Sequence, residues 1–239
     1  MGKRVAIIQS NYIPWKGYFD AINAVDEFVL LDDAQYTRRD WRNRNRIKTA
    51  AGEVRWLTVP VAVKGRYTQR IDETRISDPR FGERHWRTLQ HAYGRAPWFG
   101  PVAEWLAPLY LERAYERLSD CNRALLQAVC DALGIGTPLS WSTDYGVGGA
   151  RSERLIALCR ATGADEYLSG PAARTYLDEA AFAAAGIRVR WIDYDGYPPY
   201  EQFAPPFEHR VSILDLLFHT GPDAPRYMKT FGVGGGDLL

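Results

Sequence analysis

The sequence predicts an α/β protein: a doubly wound, mostly parallel sheet of the Rossmann or nucleotidyltransferase type, with a β-hairpin and helices inserted after its second strand. Three observations lead there. Two short, continuous apolar runs, VAII (5–8) and FVLL (28–31), stand where a half-exposed strand would alternate, as expected for strands covered on both faces. A helical stretch lies between them, so strand, helix and strand fit within about thirty residues as a βαβ unit. From residue 137 the rhythm of short strand and amphipathic helix returns. The prediction is one domain over 1–239 with an insert at about 36–133.

Taken in order, RVAIIQS (4–10) is a strand, WKGYFDAINAVD (15–26) a helix with Phe19 and Ile22 inward, and EFVLLDD (27–33) a second strand. RNRIKT and VRWLTVPV, joined through AAGE, make a hairpin over 44–61. Residues 62–80 are polar, with few packing positions, and read as an excursion free to move. Helical periodicity then runs from about Phe81 to Leu133; its last segment has Ser119 as cap and Gly134 as stop. TPLSWSTD (137–144) is a strand, followed by a helix ending on Gly163, the strand DEYLSG, a helix ending on Gly186 and the strand IRVRWIDYD. VSILDLLFHTGP (211–222) is a further amphipathic helix with a Gly-Pro stop, and the end, GVGGGDLL, reads as flexible.

Composition removes several classes. With 30 basic and 29 acidic residues, no overall field directs the chain to nucleic acid or membrane. No apolar run approaches the roughly 18 to 20 residues of a membrane span. The four-residue run VAII is too short for a signal-peptide core, and Ala6 stands where a myristoylation site carries Ser or Thr. Three cysteines, Cys121, Cys130 and Cys159, lie in apolar helical patterns and read as small core residues of a cytoplasmic protein. His85 and His91 are six apart, off a shared helix face, and no Cys-x-x-Cys or His-Glu-x-x-His occurs, so no metal site is expected.

Ligands of such sheets bind beyond the carboxyl ends of the strands, which selects the rim residues. After the first strand come Gln9, Asn11, Tyr12, Trp15 and Lys16, a polar and aromatic turn costly to build for packing alone. Asp32 and Asp33 end the second strand, where carboxylates hold a ribose hydroxyl, an amine or Mg²⁺. TRRDWRNRNRIK (37–48) sets five Arg and one Lys against one Asp; Arg42 and Arg44, with Asn43, suit a phosphate or carboxylate, and Tyr36 or Trp41 a base or sugar face. Ser169 and Gly170 form a tight turn whose amides can receive an oxyanion, and Ser142 and Asp144 end another strand. GYPPYEQF (196–203) either lines a pocket or covers the sheet edge. A solvated basic loop and ordinary strand-to-helix turns are the plain alternatives for these features.

The blocks IIQSNYIPWKGYFDAI, DEFVLLDDAQYTRRDWRNRNRIKT, WLTVPV, RSERLIALC, ADEYLSGPAARTYLD and YPPYEQ…VSILDLLF, taken together, resemble the WbqC-like family over nearly the whole chain. The resemblance implies a place in O-antigen, other polysaccharide or secondary-metabolite biosynthesis, and a glycine or aminoacyl transferase role. Where this chain has His219 the family more often has Asn, so no catalytic weight rests on it. The architecture also resembles nucleotidyltransferase-like and pantothenate-synthetase-like folds, whose HxGH signature is here reduced to Gly17 with both histidines missing.

The expected function is therefore transfer of an aminoacyl or acyl group to a small-molecule amine or hydroxyl, forming an amide or ester. Asp33 is the expected base, with Asp32 and Lys16 beside it, and the partner is an anionic, activated small molecule. A carrier-protein thioester, an aminoacyl-tRNA or an adenylate made from ATP with Mg²⁺ is the donor. The rivals are an ATP-dependent ligase or nucleotidyltransferase and a non-catalytic binding module.

Overall fold

In a computed structural model of the chain, which describes residues 2–231 and Leu238, the run RVAII forms strand β1 (Arg4–Ile8). Helix α1 (Lys16–Asn23) carries the chain to β2 (Glu27–Leu30), which lies parallel to β1. Three later strands, β5 (Leu139–Trp141), β6 (Glu166–Ser169) and β7 (Arg188–Trp191), complete one parallel sheet in the order β5-β2-β1-β6-β7. The α/β expectation is met.

Strand alternation sorts the core into two layers. On one face Ala6, Phe28, Leu30 and Leu168 pack with α1 and with α2 (Phe81–Tyr93), α3 (Phe99–Leu111), α4 (Leu118–Leu133) and α7 (Ile213–Thr220). On the other, Val5, Ile7, Val29 and Tyr167 pack with α5 (Arg151–Ala161) and α6 (Glu179–Ala184). Both faces are covered, which is why the strands read as unbroken apolar runs. The hairpin, β3 (Arg44–Lys48) and β4 (Val54–Thr58), forms a separate antiparallel sheet.

Several local expectations are corrected. The segment 62–80 is pinned, because Val61 bridges Ile76, Gln35 bridges Arg70, Arg75 bridges Arg117, and Ile71 and Thr74 are fully buried. Ser119 does not cap α4: Arg117 precedes the helix, and the Ser119 hydroxyl donates to Asp32. Gly134 does end α4, with φ 72° in the left-handed region that a side chain resists. The strand expected at 137–144 stops at Trp141, where the Asp144 carboxylate accepts from the Trp141 amide at 2.9 Å and turns residues Ser142–Tyr145 into a 310 turn. The expected flexible end at 232–239 lies outside the described residues apart from Leu238.

The strand order positions the site. From β1 the chain builds outward to β2 and β5, then crosses back to β6 and builds outward to β7. The direction reverses between β1 and β6, and the loops leaving those two strands part to open a crevice.

Candidate functional site

A cleft of about 700 Å³ opens beyond the carboxyl end of β1, between the turn after that strand and the segment after β7. The turn after β1 supplies Asn11, Pro14 and Trp15, and the entrance to the hairpin supplies Trp41 and Asn45. The segment after β7 supplies Tyr194 through Tyr197, and the loop before α7 supplies His209 and Arg210.

The turn after β1 is held in a conformation its residues resist. Ile13, a β-branched residue, has φ 36°, in the left-handed region. The buried Asn45 amide donates to the carbonyls of Tyr12 (3.1 Å) and Ile13 (2.9 Å), and the Tyr12 amide donates to the Trp41 carbonyl at 2.9 Å. The hairpin thus clamps the turn. Gly17 is required by a close approach: a Cβ there would meet the Trp15 ring at 2.4 Å. Trp15 lies over that gap and meets Tyr194 and Tyr197 edge to face, with centroids 5.1 and 5.3 Å away.

Cations converge beside this aromatic surface. Arg42 donates to Gln9 Oε1 and, at 3.2 Å, to Asn11 Oδ1, and pairs with Asp40 at 3.4 Å. Its Nε is buried and meets no hydrogen-bond partner among the described residues. Lys16 is buried behind Tyr197, donates to the Pro198 carbonyl at 2.9 Å and lies 5.0 and 5.4 Å from the Tyr197 and Tyr200 ring centroids. Burial pulls its pKa down to about 8, against an upward pull from Asp20. Desolvation and then the Lys16 charge lower the pKa of His209, which favours its neutral form.

The predicted residues divide by place. Asn11, Trp15 and Trp41 line the cleft, with Gln9 joined to them through Arg42. Gly170 leaves the end of β6 beside Tyr194, whose hydroxyl lies 3.8 Å from where a Cβ would stand. Arg44 lies over the Trp56 ring, 4.1 Å from its centroid.

The others point elsewhere. Tyr12 is fully buried, donating to His85 Nδ1 at 2.7 Å, with its oxygen 2.9 Å from that of Tyr110. Asp32 lies beneath the rim, accepting from the Ser10 amide (2.8 Å), the Ser10 hydroxyl (2.7 Å) and Ser119; burial raises its pKa. Asp33 accepts from Ser142 at 2.6 Å and from Arg154, on the β5 side of β2 and outside the cleft lining. Tyr36 is a core residue whose pKa burial pushes up to about 12. Asn43 is buried, donating to the Val59 carbonyl at 2.9 Å, and the buried Ser169 hydroxyl is 3.4 Å from that of Tyr167.

Sequence reasoning did not single out Asn45, Trp56, Tyr194, His209 or Arg210. GYPPYEQF pointed toward Tyr197, but nothing near His209 marked the return of the chain to the rim. Among the described residues no group of three or more His, Cys, Asp and Glu side chains is placed to hold a metal ion, and no helix is long and apolar enough to cross a membrane.

Comparison with known proteins adds a family. The model described as the WbqC-like protein family matches residues 9–227. "Uncharacterized protein Rv1507c" of Mycobacterium tuberculosis is 55% identical over 227 residues, covering 95% of this chain and 98% of that protein. No solved structure matches.

Proposed function

The chain belongs to the WbqC-like protein family, and from that premise we propose that it is a transferase that moves an aminoacyl or acyl group from an anionic, activated donor to a small-molecule amine or hydroxyl. The observation that carries this reading is Arg42 beside the cleft, held by two carboxamides and 3.4 Å from the half-exposed Asp40 carboxylate, with a buried Nε that has no hydrogen-bond partner among the described residues. A guanidinium fixed in this way is preorganised for phosphate or carboxylate.

In the proposed reaction the acceptor nitrogen or oxygen attacks the donor carbonyl, a new C–N or C–O bond forms, and the bond to the leaving group breaks. Arg42 neutralises the anionic leaving portion. Asn11, whose Oδ1 accepts from Arg42, turns its NH₂ group to the developing oxyanion. His209 takes the acceptor's proton, a role its lowered pKa suits. Asp33, expected as the base, is engaged by Arg154 and Ser142, so the proton role passes to His209. We place the reaction in the cytoplasm and in polysaccharide or secondary-metabolite assembly, with support from three buried free thiols and from the family resemblance.

The test is product mass spectrometry after incubation with acyl adenylates, pantetheine thioesters or aminoacyl-tRNA, each with amine and amino-sugar acceptors. The expected result is a new amide or ester, with Arg42→Ala weakening donor binding about tenfold or more and Arg42→Lys restoring only part. His209→Ala should lower kcat with little change in KM. Binding without turnover for every donor class would leave a binding module and overturn the transferase reading.

A further inference from the structure

We infer that the ligand of this cleft is a nucleotide or carries one, with its base stacked on the indole pair Trp41 and Trp56. The inference rests on the anionic-ligand reading above and names the class of that ligand. Trp41 lines the cleft, and its ring lies 5.4 Å from that of Trp56 on β4, tilted by 39°. Both indoles are exposed, Trp41 at 40% and Trp56 at 45%. Two large apolar rings held side by side in water are a cost to the free protein, and their place at a cleft mouth points to a planar partner.

Their neighbours identify that partner. The Arg44 guanidinium lies 4.1 Å from the Trp56 centroid and that of Arg46 5.9 Å away. Bases stack on aromatic faces and on guanidinium planes whatever their identity, so Arg44 over one face of Trp56 extends the platform that Trp41 begins, and its N–H groups match the phosphates attached to a base. Because Trp41 belongs both to the indole pair and to the cleft, a base on the pair leaves its pendant group near Asn11 and Arg42.

Calorimetric titration of the full chain with ADP, UDP and ribose 5-phosphate tests this. ADP or UDP should bind about tenfold or more tightly than ribose 5-phosphate. Trp56→Ala should remove most of that advantage, and Trp56→Phe should keep part of it; an unchanged circular dichroism spectrum checks that each variant folds. A short RNA ending in CCA distinguishes two sources of the same chemistry. Tighter, Trp56-dependent binding of the RNA assigns the nucleotide to an RNA end; weaker binding assigns it to a small nucleotide conjugate. Equal affinity for ribose 5-phosphate and ADP, or ADP binding that ignores Trp56→Ala, overturns the inference. Ribose 5-phosphate binding that still depends on Arg42 would in that case leave the anionic-ligand reading standing.

Discussion

Lys16 shows how a single charge is set by its surroundings. Its Nζ is enclosed by the Tyr197 and Tyr200 rings and the Pro198 carbonyl, and burial brings its pKa from the ordinary 10.5 to about 8. Between these two values the unfolded chain binds more protons than the native protein, so the Lys16 contribution to stability rises with pH across that window. Lys16→Met removes the effect. The difference in unfolding free energy between wild type and this variant should therefore move toward wild type from about pH 8 to about pH 10. A difference that stays flat with pH would mean that Lys16 is not desolvated. Position 16 is legible in the sequence as a lysine after a strand; the proline-rich loop that covers it, 182 residues on at Pro198, is not. The same holds at Tyr12 and Asn11, neighbours of similar promise. Which of them faces the cleft depends on the left-handed Ile13 and on Asn45, a long-range clamp.

At the level of elements, the loop after β7 keeps its place through a buried relay. Lys48 of β3 donates to Gln202 Oε1 at 2.9 Å and to the Ala204 and Pro206 carbonyls, and Gln202 Nε2 donates to Asp215 Oδ1 of α7 at 2.9 Å. Asp215 also accepts from Tyr93 (2.8 Å) and Tyr200 (2.7 Å). Hairpin, loop and α7 are thus joined by a buried cation and a buried anion with one amide between them. Lys48→Met keeps most of the side-chain volume, leaves the Ala204 and Pro206 carbonyls without their donor and leaves Gln202 Oε1 with the Glu208 amide alone. The expected cost is about 3 kcal/mol in urea unfolding, with faster proteolysis within 198–210. A loss below about 1 kcal/mol would show the loop to be held by its aromatic packing instead. GYPPYEQF suggested a cleft lining or an edge cover from its composition; the relay beneath it joins β3 to α7, and no local pattern announces such a pair.

For the whole molecule, the parallel sheet was legible because its strands are buried on both faces and write that burial as VAII and FVLL. The site was legible only as a rim, since apolar runs do not reveal strand order. With β5 beside β2, Asp33 meets Ser142 and Arg154, while the switch point opens on the opposite side of β1. Distant segments must meet there, and Asp20 joins three of them. It is fully buried on α1 and accepts from the Tyr197 hydroxyl at 2.6 Å, from the Lys229 amide at 3.1 Å, and from the Thr230 amide at 2.9 Å and its hydroxyl at 2.5 Å. Helix, cleft lining and the chain near its end therefore share one carboxylate. Asp20→Ala leaves two hydroxyls and two amides without that acceptor, and unmade buried bonds of this kind cost about 1 to 3 kcal/mol each, less where water enters. A total loss of about 3 kcal/mol or more is expected in urea unfolding, and Asp20→Asn, which keeps one acceptor oxygen, should lose less. Tyr197 lines the cleft, so Asp20→Ala should also weaken ligand binding, although Asp20 itself is not among the lining residues. If stability falls while affinity in the folded fraction is unchanged, the clasp secures the end of the chain but does not shape the cleft.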